Sequence, residues 1–407
     1  MKIKSTINTM VREGGIDYNG AMNFDLDNVI SRKGTNSLKW SIPKDEYVLP
    51  FWVADMDFPA PSGVKKALNE RINHGIFGYT LPPESLFSSF IDWRLRRDDW
   101  SIHRDYVLLT GSVLDSVQIA VEAFTSPGDS IAVQLPVYYP LFQMPEKLGR
   151  RLIINPLVPS SDGYRMDFAD LEFKFHRGVK MLVLCNPHNP VGRVWTKDEL
   201  EELLSICRKH NVLILSDDIH ADLILPGNKY TPILKCGVPS DVPVIICLSP
   251  NKTFNIAGIP TGFTVIPDTD TRNRFLKERD KAGMTVPNLL SVTAAEAAYK
   301  TGERWLETVL DYIQKNYLFV YDYLKEELPE AGVYPLEGTY LVWIDFSAYR
   351  PESGSVNKLL LKEGKVFLSD GASFGAGGEN FQRLNIACPR TLLEEGLERV
   401  RKVLKKT

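Results

Sequence analysis

Cysteine is scarce in this 407-residue chain, and the few that occur form no pattern. The 5 cysteines, Cys185, Cys207, Cys236, Cys247 and Cys388, are odd in number, widely spaced and never arranged as C-x-x-C. That argues against a disulfide framework or a cysteine zinc site, and no metal is expected. In runs such as Leu182–Cys185 and Val244–Leu248 a free thiol behaves as a small core residue. No uninterrupted apolar stretch approaches the ~18–20 residues a membrane span needs. The N-terminal MKIKSTINTMVREGG lacks the apolar stretch of a secretory signal. A reducing compartment, the cytoplasm, is the expectation. Basic residues are not in excess either, with 48 Lys and Arg against 51 Asp and Glu and a net charge of -3. A nucleic-acid or anionic-membrane binder normally carries a basic surplus, so neither partner is expected. Neither G-x-G-x-x-G nor G-x-x-x-x-G-K-[ST] follows an apolar run, which disfavours a nucleotide-binding oxidoreductase.

What is present is an ordinary globular composition, 44% hydrophobic and 24% charged, without repeats or low-complexity tracts. Residues 1–60 are rich in Asn, Asp, Gly and Pro and read as an arm. Pro61 and Ser62 open a helix through Asn73, with Ser62 as its N-cap. Short β-branched runs then alternate with amphipathic stretches. The runs are Tyr106–Leu109, Ile131–Leu135, Met181–Cys185, Val212–Leu215 and Val244–Leu248. Helical spacing marks Ser112–Phe124 and Lys197–His210. Alternation of this kind predicts an α/β fold with a mostly parallel sheet covered by helices on both faces. Beyond about residue 285 the pattern changes to long helices (Leu289–Tyr299, Trp305–Leu328), a strand (Tyr340–Phe346) and a terminal helix (Leu392–Leu404). The expected organisation is an arm contributing to a small domain (1–60), a large α/β domain (61–285) and a smaller α+β domain (286–407).

In an open parallel sheet ligands bind beyond the carboxyl ends of the strands. The segments that come after the successive runs are Gly111-Ser112-Val113, Pro136-Val137-Tyr138-Tyr139, Asn186-Pro187-His188-Asn189, Asp217-Asp218-Ile219-His220 and Ser249-Pro250-Asn251-Lys252. A helix start at Gly111, Ser112 and Val113 offers N–H groups and the positive dipole end to a phosphate. Tyr138 suits a flat ring, Asp217 a protonated ring nitrogen, and Asn189 with His220 a phenolate oxygen. Lys252 suits a Schiff base if burial and neighbouring cations lower its pKa. A phosphorylated aromatic aldehyde with a basic ring nitrogen meets these demands together, and pyridoxal 5′-phosphate is such a molecule.

The ordered series Asn189-Pro190-x-Gly192, Asp217-x-x-His220, Ser249-x-x-Lys252 and Arg383-Leu384-Asn385 resembles the fold-type I aminotransferase superfamily, class I and II. The stretches PFWVADMDFPAP, NPHNPVGRVW, SDDIHADLI and NKTFNIAGI are most similar to its cystathionine β-lyase (C–S lyase) branch, which includes a maltose-regulon modulator. The resemblance runs from about residue 35 to the C-terminus. It implies that Lys252 is the cofactor-bearing lysine and moves the α-proton, that Asp217 keeps the pyridine nitrogen protonated, and that Tyr138 stacks on the ring. It also implies that Asn189 and His220 flank the ring oxygen, and that Gly111, Ser112, Val113 and Ser249 bind phosphate. The same resemblance implies that Arg383 takes the substrate carboxylate and that Tyr79 reaches the neighbouring subunit's cofactor in a homodimer. Many relatives carry an arginine eight positions after the lysine; here that position is Pro260. The implied reaction is α,β-elimination on L-cystathionine or a cysteine conjugate, giving pyruvate, ammonia and a thiol. An aminotransferase is the alternative, and a regulatory binding protein on the same fold a further one. Trp52, Asp55 and Asp57 of the arm are open between pocket-lining and packing roles.

Overall fold

The apolar runs become strands of one seven-stranded sheet. The computed structural model describes residues 24–237, 242–284, 287–351 and 354–406; the MKIKSTINTMVREGG segment and the start of the arm lie outside them. Strands β1 (Val107–Thr110), β2 (Ser130–Leu135), β3 (Arg151–Pro156), β4 (Val179–Cys185), β5 (Leu213–Asp217), β6 (Val244–Leu248) and β7 (Gly262–Val265) lie in the order β1-β7-β6-β5-β4-β2-β3. β2 pairs in parallel with β3 and β4, β4 with β5, and β5 with β6. β7 is antiparallel to both β6 and β1, which leaves β1 pointing the same way as the parallel set.

The inner strands β2, β4, β5 and β6 are mostly apolar on both faces because each face is covered, whereas the edge strand β3 is largely exposed. Ile131, Val133, Val183, Leu215 and Ile245 belong to one buried cluster, while Ala132, Leu182, Ile214 and Ile246 belong to the other. This is why the runs read as continuous rather than alternating. Helices α1 (Ser62–His74), α2 (Glu84–Asp98), α3 (Val113–Phe124), α4 (Lys197–His210), α5 (Leu289–Thr301), α6 (Glu303–Glu327) and α7 (Arg390–Leu404) include every helix expected from spacing. In α3 the residues Val113, Val117, Ala120 and Val121 are buried in the cluster that Ile131 and Leu215 share. α4 begins at a capping box, Thr196 with Glu199, and ends at Asn211 in the left-handed region, so both its limits are written in the sequence. α1 differs from expectation: Ser62 is its first helical residue, Pro61 is the cap, and no side chain caps the end. The fixed φ of proline, here −49°, sets the chain's entry one residue early. Among the described residues no helix is long and apolar enough to cross a membrane.

A second, four-stranded antiparallel sheet follows α6. Its strands β8 (Gly332–Val333), β9 (Leu341–Asp345), β10 (Ser369–Asp370) and β11 (Phe381–Asn385) lie in the order β8-β9-β11-β10. The arm returns beside it, Leu49–Pro50 pairing in parallel with Val366–Phe367.

Behind the central sheet a buried polar knot joins three elements. Asp222, in the loop after β5, accepts from Trp93 Nε1 at 2.8 Å and from Thr253 Oγ1 at 2.9 Å, and pairs with Arg94 of α2. Arg94 also pairs with Asp98 at 2.9 Å. Burial pushes the Asp98 carboxyl up to about 6 despite that cation. Arg94→Leu leaves both carboxylates buried without their partner. The expected cost is about 3–5 kcal/mol, read as a lowered midpoint in urea unfolding.

Candidate active site

The topology decides which side chains meet. β1, β2, β4, β5 and β6 run in one direction, so the residues following them emerge at one edge of the sheet. Neighbouring strands β6, β5, β4 and β2 carry Lys252, Asp217, Asn189 and Tyr138 in that order along the edge. Ser112 caps α3 by accepting from Asp115 N at 3.1 Å, and Ser249 caps the short helix Pro250–Thr253 by accepting from Asn251 N at 3.1 Å. β7 approaches this edge with Gly262, where a Cβ would lie 2.7 Å from the Ser112 carbonyl oxygen; glycine is required by that close approach. At Gly111 a Cβ would meet Asp115 Oδ2 at 2.5 Å.

Two cations dominate the centre. Lys252 Nζ donates to the Ala54 carbonyl at 2.7 Å. Burial of the amine, then the charge of Arg383, lowers it to about 8, while Asp55 and Asp217 pull the other way. Arg383, buried on β11, donates through Nη1 to Asn189 Oδ1 at 2.9 Å and through Nη2 to the Trp52 carbonyl at 2.7 Å and Ser369 Oγ at 3.1 Å. Its guanidinium lies 4.8 Å above the Phe374 ring, and burial lowers it to about 10. Among the described residues no carboxylate forms an ion pair with it.

Asp217 ends β5, buried, its carboxylate accepting from Ile219 N at 3.2 Å. Burial pushes its carboxyl up to about 6. His220 is buried with an unpartnered Nδ1; burial, Lys252 and Arg383 hold it well below the usual histidine range. Tyr138 is half-buried, its N–H bonded to the Asn189 carbonyl at 3.0 Å, and burial pushes its phenol up to about 12.

The third wall is a backbone strap from the arm, Trp52–Phe58, whose carbonyls are read by other elements. The Trp52 oxygen takes Arg383 and Ser369, the Val53 and Asp55 oxygens take Asn385 Nδ2 at 2.6 Å each, and the Ala54 oxygen takes Lys252. Asn255, at φ 55°, brackets Met56 by accepting from its N–H at 3.0 Å and donating to its carbonyl at 3.0 Å. Asp55 and Asp57 point into a separate ion cluster: Arg32 holds Asp55 at 2.7 Å and Asp57 at 3.0 Å, and buried Lys39 holds Asp57 at 2.6 Å. Trp52 stacks on Phe367 with centroids 5.0 Å apart.

The structure thus gathers Lys252, Asp217, His220, Asn189, Tyr138 and Arg383 at one edge, with Gly111, Ser112, Val113 and Ser249 at the neighbouring helix starts. Tyr79 does not join them within one chain: it is fully exposed between α1 and α2 and makes no hydrogen bond or ring contact with a described residue. Asp218, which sequence reading leaves as a capping or surface acid, is buried and accepts from the hydroxyls of Ser216 and Tyr230. Strand alternation turns it away from Asp217 into the core. His188 is likewise a packing residue, buried with Nε2 2.9 Å from the Pro136 carbonyl. Sequence reading missed Asn255, Asn385, Tyr340 and the strap carbonyls. Their nearest signals are the Asn that follows Arg383-Leu384 and the Asn within NKTFNIAGI.

These residues fit the pyridoxal phosphate expected from the sequence. Asp217 is a buried carboxylate with no cation hydrogen-bonded to it, which suits a protonated ring nitrogen. The orphan His220 Nδ1 faces the field of Lys252 and Arg383, which suits an oxygen partner. The orphan Arg383 Nε suits a carboxylate.

Comparison with known proteins agrees. The profile of the family described as aminotransferase class I and II matches residues 48–400. Cystathionine beta-lyase PatB of Bacillus subtilis is 40% identical over 94% of this chain and 100% of its own. The crystal structure of cystalysin from Treponema denticola, which contains pyridoxal 5′-phosphate, superposes with a TM-score of 0.91 at 36% identity, covering 95% of this chain and 100% of its own. The PLP-bound C–S lyase of Staphylococcus hominis superposes with a TM-score of 0.88 at 30% identity, over 94% of this chain and 99% of its own.

The electrostatics of the two cations are testable directly. Labelling of Lys252 by trinitrobenzenesulfonate, followed by peptide mass spectrometry, is expected to rise with pH around 8, the value its burial sets. An ordinary lysine does so only near ~10.4. Arg383→Leu removes a like charge, favours the ammonium and moves that midpoint upward.

Proposed function

The chain belongs to the aminotransferase class I and II family, and from that premise we propose that it is a pyridoxal-phosphate-dependent carbon–sulfur β-lyase. Its architecture is the fold-type I transferase fold expected from the sequence. One observation carries the reading: a single reactive amine, Lys252, stands beside an unpaired buried guanidinium, Arg383, with the buried carboxylate of Asp217 on the adjoining strand. The names of the relatives favour elimination at a carbon–sulfur bond over amino-group transfer.

Bound there, pyridoxal phosphate supplies an electron sink for the pair left at a substrate's α-carbon. Asp217, ionised, holds the proton on the ring nitrogen that makes the sink effective. Tyr138 covers the ring, Asn189 and His220 meet its oxygen, and Gly111, Ser112, Val113 and Ser249 meet the phosphate. Arg383 exchanges its contacts with Asn189 and the Trp52 carbonyl for the substrate carboxylate, a bidentate match. Fixing that end orients the α-hydrogen toward the Lys252 amine, a positional contribution. A free amine near pH 8 accepts the α-proton where an ordinary lysine is almost wholly ammonium. The net reaction cleaves the Cβ–S bond of L-cystathionine or a related cysteine conjugate, with water, to a thiol, pyruvate and ammonia.

A second copy of the chain completes the proposal. Ile76, Phe77, Tyr79 and Leu81 form an exposed apolar segment, and exposure of this kind supports an interface through which Tyr79 reaches the neighbour's phosphate. Cysteines that are all free and buried support a reducing compartment.

Purified enzyme given L-cystathionine is expected to release pyruvate and thiol without added 2-oxo acid; an absolute requirement for an oxo acid overturns the lyase reading in favour of an aminotransferase. Lys252→Ala abolishes turnover. Arg383→Leu lowers kcat/KM at least about thirtyfold, or about 2 kcal/mol, mostly through KM.

A further inference from the structure

The Ala54 carbonyl oxygen serves two donors. Lys252 Nζ reaches it at 2.7 Å and the Tyr340 hydroxyl at 2.9 Å. Tyr340 is completely buried at the entrance to β9, its ring 6.2 Å from that of His220. Nothing in the reaction just described uses it. We propose that Tyr340 is a positioning residue that sets the reactivity of the Lys252 amine by sharing its acceptor. The proposal rests on reading Lys252 as the cofactor-binding amine.

A carbonyl oxygen that already accepts one hydrogen bond gives less to a second donor, because both draw on the same electron density. An ammonium depends on its acceptor more than an amine does. The phenol therefore weakens the hold of Ala54 on the charged form of Lys252 and favours the neutral form that attacks an aldehyde. The geometry separates this effect from a merely structural one. The strap does not need Tyr340 to stay in place: Arg383 binds the Trp52 carbonyl, Asn385 binds those of Val53 and Asp55, and Asn255 brackets Met56. Removing the hydroxyl also leaves no buried group unpaired, since the Ala54 oxygen keeps Lys252.

The other groups around the amine are Arg383 on β11, Asp217 on β5, Asp55 on the strap, and His220 after β5. Burial holds Tyr340 well above the usual phenol range, so it stays a donor throughout the range in which Lys252 titrates.

The test is Tyr340→Phe in the full-length chain stripped of cofactor, compared with the unaltered chain between pH 6 and 10. Two rates are followed: trinitrobenzenesulfonate labelling of Lys252 by peptide mass spectrometry, and uptake of pyridoxal 5′-phosphate by absorbance. The variant is expected to show its labelling midpoint about 0.5 pH higher, hence about threefold slower labelling and uptake at pH 7, with an unchanged plateau at high pH and an unchanged Tm. An unmoved or lowered midpoint overturns the proposal. So does a loss that is equal at every pH, which marks a structural role. Lys252→Ala must lose the labelled site, fixing its identity. If the unaltered chain labels near pH 8 but takes up no pyridoxal phosphate, the functional reading falls, while the labelling comparison still decides the role of Tyr340.

Discussion

Two cations, half-buried Lys252 and buried Arg383, stand together at the site, and both are held by neutral oxygens. A charge removed from water normally recruits an opposite charge, since the desolvation cost is otherwise large. Here the acceptors are the carbonyls of Ala54 and Trp52 and the amide oxygen of Asn189. Carboxylates in their place would satisfy the cations and disable them: Lys252 would stay an ammonium, and Arg383 would already hold the carboxylate that the proposed reaction brings to it. Burial instead lowers Arg383 to about 10, and burial together with the charge of Arg383 lowers Lys252 to about 8. The acids nearest in sequence are drawn elsewhere, Asp55 and Asp57 to Arg32 and Lys39. The arm thus supplies backbone dipoles to the site while its own carboxylates anchor it.

This arrangement explains which parts of the fold and site were legible in the sequence. Strands β2, β4 and β6 were visible because both their faces are buried, making them nearly continuous apolar runs with Gln134 of β2 as a buried polar exception. α4 was visible because Leu200, Leu203, Leu204 and Cys207 recur at helical spacing, and its ends agree with the caps at Thr196, Glu199 and Asn211. β7 was not: Gly-Phe-Thr-Val is short, and its place between β6 and β1 is a matter of pairing across the chain. Site residues that directly follow a run, such as Asp217 and Lys252, were legible because the sheet's topology carries them to one edge. Tyr340 and Ala54 were not, since they meet across 286 positions through a backbone oxygen that no side-chain pattern announces. Tyr79 was named only through the resemblance, and the role proposed for it needs a surface that a single chain leaves bare.

Asp217 and Asp218 show how little separates a functional acid from a structural one. They are adjacent, both buried, and burial raises both, to about 6 and about 7. Two hydroxyl donors, Ser216 and Tyr230, occupy Asp218 and make it part of the core. Asp217 has one backbone N–H and so retains acceptor capacity for a ligand. Strand parity alone assigns the two fates, and a one-residue slip of β5 would exchange them. The register of β5 is fixed on both sides, Cys185 opposite Asp217 on β4 and Cys247 opposite it on β6. Both thiols are buried and apolar in behaviour, so a slip would press a carboxylate's neighbours into the wrong face of the core. Packing energy distributed over the whole sheet therefore holds the Asp217 carboxylate at the open edge, which is why a single acid at a strand end can be placed without any ion pair of its own.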